Sequence, residues 1–220
     1  MKTLSCNCGK SFDADLPDRI DLDAEPGRLA EILSGDFLTV ECPHCGHRLK
    51  PDIPLHIVQN SRGLDLFYVP ESDRADAMRG TLEYSVSDAP CFVIGYAELV
   101  ERLIMEELGL DQRVIEVLKF FLLQPALERA EGEEEGGDEG EKEEGVEAEI
   151  RILFKERSDD WLVFHISGIK EDEVAVSRLP VKTYGKVESE LNRHLSGEPL
   201  SSFLSPPYVS INNIYWEDSE

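Results

Sequence analysis

The chain of 220 residues lacks a long apolar run: no stretch approaches the roughly 20 apolar residues a membrane helix needs. Met1 to Lys10 also holds no apolar core of the length a secretory leader requires, so the expected setting is cytoplasmic and reducing. Positive charge is scarce. Lys and Arg number 22 against 46 Asp and Glu, a formal net charge of −24. Such a balance argues against attraction to nucleic-acid phosphates or anionic membranes. No H-E-x-x-H, phosphate-cradling glycine loop or nucleophile elbow is present, and the histidines outside the segment around Cys45 (His56, His165, His194) are scattered. Catalysis therefore has no local signature, and the sequence reads as that of a non-enzyme.

Cysteine is scarce too, with five residues, yet four fall in two tight clusters: Cys6-Asn7-Cys8-Gly9 and Cys42-Pro43-His44-Cys45-Gly46. A thiolate-bound zinc ion takes four tetrahedral ligands, and a tight turn with a cysteine at each end presents two of them. Glycine just after each second cysteine permits positive φ, which lets backbone N–H groups point at the sulfurs. Pro43 fixes φ inside the second turn and narrows its unfolded ensemble. The reading is one Zn2+ site with Cys6, Cys8, Cys42 and Cys45 as ligands. In a reducing compartment, paired thiols at this spacing bind metal more often than they form disulfides, although redox chemistry and inert buried thiols are the competing readings. His44 and His47 flank Cys45 and are candidate substitutes if the tighter first pair supplies only one ligand. Cys91, beside Phe92, Val93 and Ile94, reads as a small buried hydrophobe in a strand.

The gap between the clusters carries structure of its own. Phe12, Ala14 and Leu16 alternate as a half-buried strand does, Pro26 opens a short helix through Leu29, Ile32 and Leu33 with Gly35 beyond its end, and Phe37 to Glu41 reads as a strand. Leu55 to Val58 and Leu64 to Val69 form a hairpin around Asn60-Ser61-Arg62-Gly63. From Tyr96 an apolar stripe runs to Leu108 before Gly109. Asp111 caps a second helix carrying Val114, Leu118 and Phe121, with Lys119 on its other face, and Pro125 should end or kink it. These two helices read as a hairpin.

Glu131 to Gly145 holds nine acids, one lysine and five glycines with no apolar residue, so it reads as a disordered linker. Beyond it, Ala148 to Phe154 and Trp161 to Ile166 form a hairpin, Val174 to Val176 a strand, Pro180 begins a helix through Tyr184, Val187 and Leu191, and Val209 to Trp216 reads as a closing strand. The expected architecture is α+β. It comprises a zinc-ribbon-like β domain with a helical hairpin over residues 1–130, the acidic linker over 131–145 and a small α+β unit over 146–220.

Leu33-Ser34-Gly35-Asp36-Phe37, the run Cys42-Pro43-His44-Cys45-Gly46-His47 and Gly109-Leu110-Asp111-Gln112-Arg113-Val114-Ile115-Glu116 resemble the CpXC family of bacteria and archaea. The resemblance covers most of residues 1 to about 125. It implies a zinc-ribbon-like domain whose ligands are Cys6, Cys8, Cys42 and Cys45, and it implies no activity. The chain departs from the family pattern at its first motif, where Asn7 stands alone between the cysteines and the proline is missing. The functional expectation is a zinc-binding interaction or scaffold protein with a protein partner. A thiol redox switch that releases zinc on oxidation, and a nucleic-acid-associated ribbon, are the alternatives.

Overall fold

A computed structural model describes residues 1–84, 86, 90–134, 150–170, 172–194 and 200–216. The chain divides into two compact units, Met1–Glu106 and Glu107–Glu220. Both mix helices with antiparallel or mixed sheet, so the fold class is α+β.

Unit 1 begins with the hairpin β1 (Lys2–Ser5) and β2 (Ser11–Ala14), paired Lys2↔Ala14 through Ser5↔Ser11. β3 (Arg19–Asp21) leads to α1 (Gly27–Ser34), whose apolar face buries Ile32. Gly35 ends α1 at φ 85°, and the N–H groups of Asp36 and Phe37 both turn back to the Glu31 carbonyl at 3.0 and 3.1 Å. A second short hairpin follows, β4 (Val40–Glu41) with β5 (Arg48–Leu49). The expected strand from Phe37 is therefore confined to Val40–Glu41. Leu38 adopts φ 54° and Thr39 N–H bonds the Asp36 carbonyl at 3.3 Å, so Phe37 to Thr39 form a turn instead.

β6 (Leu55–Gln59) and β7 (Leu64–Val69) make the expected hairpin, closed by a 3-10 turn at Asn60–Arg62 and by Gly63 at φ 69°. α2 (Arg74–Arg79), β8 (Cys91–Ile94) and α3 (Gly95–Glu107) complete the unit. The main sheet has the order β3-β6-β7-β8, with β3 parallel to β6 and β8 parallel to β7. α1 and the β4–β5 hairpin thus both lie in the crossover from β3 to β6. Ile20, Leu55, Ile57, Leu66 and Val93 from the strands close a core with Ile32 of α1 and Leu99 and Leu103 of α3. Each is 3% exposed or less, the burial that makes apolar alternation a folding force.

Unit 2 holds α4 (Gln112–Glu134), β9 (Arg151–Arg157), β10 (Trp161–Ser167), β11 (Val174–Pro180), α5 (Val181–His194) and α6 (Leu200–Phe203). The sheet order is β11-β10-β9, antiparallel throughout, with a register shift between Val163 and Phe164. Ile152, Phe154, Leu162 and Phe164 are buried, and α4 packs with β9 and α5. The two helices expected to form one hairpin thus fall in different units.

Four local expectations need correction. α4 does not end at Pro125, because the proline and Phe121, whose carbonyl loses its bond, both lie on the exposed side where water can replace it. Lys119 is not on a solvated face: its side chain is 1% exposed and pairs with Glu116 at 2.7 Å. The first residues assigned to the acidic linker, Glu131–Glu134, continue α4, and the remainder of that segment lies outside the described residues. Val209 to Trp216 is not a strand, because Ile211–Trp216 form a 3-10 helix. Ser210 Oγ accepts the Asn212 N–H at 3.2 Å and the Asn213 N–H bonds the Ser210 carbonyl at 3.1 Å, local bonds that compete with a sheet ladder.

Candidate metal centre

Both cysteine clusters are hairpin turns, the first between β1 and β2 and the second between β4 and β5. They close in the same way. In the first, the Cys6 N–H donates to the Lys10 carbonyl and the Gly9 N–H to the Cys6 carbonyl, each at 2.9 Å; in the second, Cys42 N–H donates to His47 and Gly46 N–H to Cys42, again at 2.9 Å. The missing residue between Cys6 and Cys8 shortens the ring by one position without changing its frame. Gly9 at φ 78° and Gly46 at φ 70° supply the left-handed corner that a side chain disfavours.

The four sulfurs of Cys6, Cys8, Cys42 and Cys45 all lie within 4.8 Å of one another. Cys6 Sγ sits 3.7 Å from Cys45 Sγ, and Cys8 Sγ 3.9 Å from Cys42 Sγ. A metal–sulfur bond of about 2.3 Å in a tetrahedron gives sulfur–sulfur edges of about 3.8 Å, so the cluster has the dimensions of an M(Cys)4 site. A disulfide needs about 2.05 Å, and all five cysteines are free thiols. Each turn contributes one buried sulfur residue, Cys6 or Cys42, and one exposed one, Cys8 or Cys45. The cysteines are thus positioned to bind a metal ion, and four soft thiolates favour a soft or borderline cation.

Main-chain N–H groups shape the thiols. Burial pushes the Cys42 thiol up, but the N–H groups of His44 and Cys45 and the thiols of Cys6 and Cys45 outweigh it and bring it down to about 7. At Cys6 the Cys8 N–H lowers the value, while burial and the thiols of Cys42, Cys45 and Cys8 raise it to about 12. Cys45 receives the His47 N–H, yet burial and the thiols of Cys8 and Cys42 leave it raised. The surrounding N–H groups and thiols thus favour a thiolate at Cys42. His44 and His47 are exposed and stand outside the four-sulfur cluster. Their contribution is through the backbone, a role no side-chain pattern announces.

The other singled-out residues do not join this site. Cys91 is half-buried on β8, its thiol raised chiefly by burial and donating to the Asp65 carbonyl at 3.4 Å. His165 is half-buried on β10, and His56 pairs with Asp65 at 2.7 Å. Among the described residues no helix is long and apolar enough to cross a membrane.

Two cysteine turns, each carried on a short hairpin, bring four sulfurs into position to bind a metal ion, in a protein of α+β class. The chain belongs to the CpXC family, whose model, described as CpXC protein, matches residues 4–119. It is also similar to an uncharacterized protein of Treponema pallidum (strain Nichols), 28% identical over 229 residues that cover 98% of this chain and 99% of the relative. No solved structure matches.

Proposed function

We propose that this chain is a non-enzymatic zinc protein of the cytoplasm, in which Cys6, Cys8, Cys42 and Cys45 hold one structural Zn2+ and the zinc-ribbon-like pair of hairpins serves a protein partner. The observation that carries the reading is the closed set of four sulfurs at tetrahedral spacing. Four thiolates fill a zinc ion's coordination shell, whereas a catalytic zinc keeps a position open for water or substrate. Among the described residues the cluster comprises the four cysteines and includes neither His44 nor His47, which supports a four-thiolate shell.

Elemental analysis of freshly prepared, reduced protein tests the metal: about one zinc per chain supports the reading, and iron or no metal refutes it. Cross-linking in native cells followed by mass spectrometry tests the partner, and recovery of this chain alone counts against it.

The exposure of Cys8 and Cys45 favours a second reading, a thiol switch. A hydroperoxide would take two electrons from a pair of thiolates, forming one S–S bond and expelling the ion. Resistance of the zinc-loaded protein to mild peroxide supports the staple, and fast, dithiol-reversible zinc release supports the switch.

A further inference from the structure

Unit 1 contains a cavity of about 220 Å³ that none of the cysteines lines. Its walls include three aromatic side chains, Phe37, Tyr68 and Tyr96, and its polar groups are Lys50, Asp52 and Glu71. They come from the turn after α1, the segment after β5, β7, the turn before α2 and the first turn of α3. The volume is below the roughly 300–1,000 Å³ of drug-sized sites, which restricts the occupant to a small molecule.

Carboxylates line one part of the cavity wall. Asp52 accepts the Tyr68 hydroxyl on one oxygen and the Glu71 N–H on the other at 3.1 Å. The Arg74 guanidinium engages Glu71 at 2.8 and 2.9 Å and Glu98 at 3.0 Å. The carboxylates that line the cavity are Asp52 and Glu71, and the lining ammonium belongs to the exposed Lys50. The Tyr68 hydroxyl is pushed well up by burial and then by Asp52 and Glu71, as a negative surrounding requires. The aromatic wall already holds a cation: Lys50 Nζ lies 3.6 Å from the centroid of the Tyr96 ring. That is the geometry in which a ring quadrupole attracts an ammonium.

We propose that the cavity is a binding site for a small alkylammonium ion, and that Lys50 is an internal stand-in which the ligand's ammonium displaces from Tyr96. An anion would meet Asp52 and Glu71 across the same space. A neutral apolar molecule would fit the volume but offer the Tyr96 ring no charge to attract. Lys50 is at the surface, so its side chain can leave for water at little cost, whereas the buried Phe37 and Tyr68 cannot.

The test is calorimetric titration of the full, metal-loaded chain with choline and with 3,3-dimethylbutan-1-ol, which has the same shape with carbon in place of the charged nitrogen. Choline should bind, with the alcohol weaker by about tenfold or more. Lys50→Met, which keeps the stem and removes the competing charge, should tighten choline by about tenfold, and Asp52→Asn, which keeps an acceptor for Tyr68, should weaken it by a similar factor. Lys50→Met lies outside the core, so its effect reports on the site and not on folding. Equal affinity for the two probes, no choline binding at about 10 mM, or unchanged or weaker choline binding in Lys50→Met would each overturn the proposal.

Discussion

Glu116 and Lys119, one turn apart on α4, meet at 2.7 Å with 2% and 1% of their side chains exposed. The second Glu116 oxygen accepts the Ile211 N–H at 2.8 Å, so the pair also fixes the 3-10 helix that ends the described chain. Breaking such a pair takes the nearest opposite charge away from a buried ion. Lys119→Met or Glu116→Ala alone should destabilise unit 2 by about 3–5 kcal/mol in chemical denaturation. The double variant Glu116→Gln, Lys119→Met retains an acceptor for Ile211 and should recover most of that loss. A double variant as unstable as the sum of the singles would show that the two charges are not coupled.

Metal removal should unfold the two cysteine turns first. Cys42→Ser should abolish stoichiometric metal, and chelation should remove the protection of residues 2–14 and 40–49 from hydrogen exchange while the strands β6 and β7 keep theirs. The separation follows from the core: Leu55, Ile57 and Leu66 are 0% exposed and owe their burial to other apolar side chains. Simultaneous loss of protection across Met1–Glu106 would mean that the ion holds the whole unit.

Metal uptake should also carry a pH signature. Protons compete with the ion for thiolates, so affinity falls as pH falls. With the Cys42 thiol brought down to about 7, it is still protonated below that pH and already ionised above it. Proton release per bound ion should therefore drop by about one between about pH 6 and 8, measured by calorimetry in buffers of different ionisation enthalpy. A constant release across that range would place the first thiolate elsewhere.

Gly80 and Gly95 have similar positive φ, 67° and 78°, but different surroundings. A methyl at Gly80 meets open space, whereas one at Gly95 runs into the Glu71 carboxylate, which Arg74 pins at 2.8 and 2.9 Å. Gly80→Ala should cost about 1 kcal/mol from backbone conformation alone, and Gly95→Ala clearly more. Thermal unfolding of both variants checks the order.

A glutamate-directed protease should cut within the acidic segment, whose composition forms no core. The fragments should nevertheless remain together through size-exclusion chromatography. The N-terminal fragment retains α4, and three bonds join the flanks of such a cut: Glu116 to Ile211, Gln112 Nε2 to the Val209 carbonyl at 2.8 Å, and the Asp111 N–H to the Tyr184 hydroxyl at 2.8 Å. Separation of the fragments without denaturant would contradict this packing.

Residues whose environment is set by their immediate neighbours were legible in the sequence. The cysteine turns, the Gly35 stop of α1 and the Asp111 cap, which accepts the Arg113 N–H at 2.8 Å, are all decided within a few positions. Lys119 is the opposite case, because its partner Glu116 is engaged by Ile211, 95 positions away in sequence. Val209 to Trp216 reads as a strand from its apolar residues, while the local bonds of Ser210, Asn212 and Asn213 favour the 3-10 turn. The three-stranded order of unit 2 was assembled from visible pieces, whereas α4's membership of that unit follows from packing across more than 60 positions. The cavity was invisible for the same reason: Lys50 and Tyr96 share no motif.

The turn that carries Cys42 and Cys45 stands between two stretches of cavity wall, Phe37 on one side and Lys50 and Asp52 on the other, with Val40 paired to Leu49 where they converge. With an ion in that turn, the chain from Phe37 to Asp52 would behave as a drawstring. An ion that tightened the turn would shorten the free loop between the walls and hold them at one separation, and its loss would let them drift apart with a small gain in chain entropy. A cell short of metal would then find the pocket slackened while the sheet behind it stood, so the same strip of backbone would report metal supply as a change in what the protein can hold.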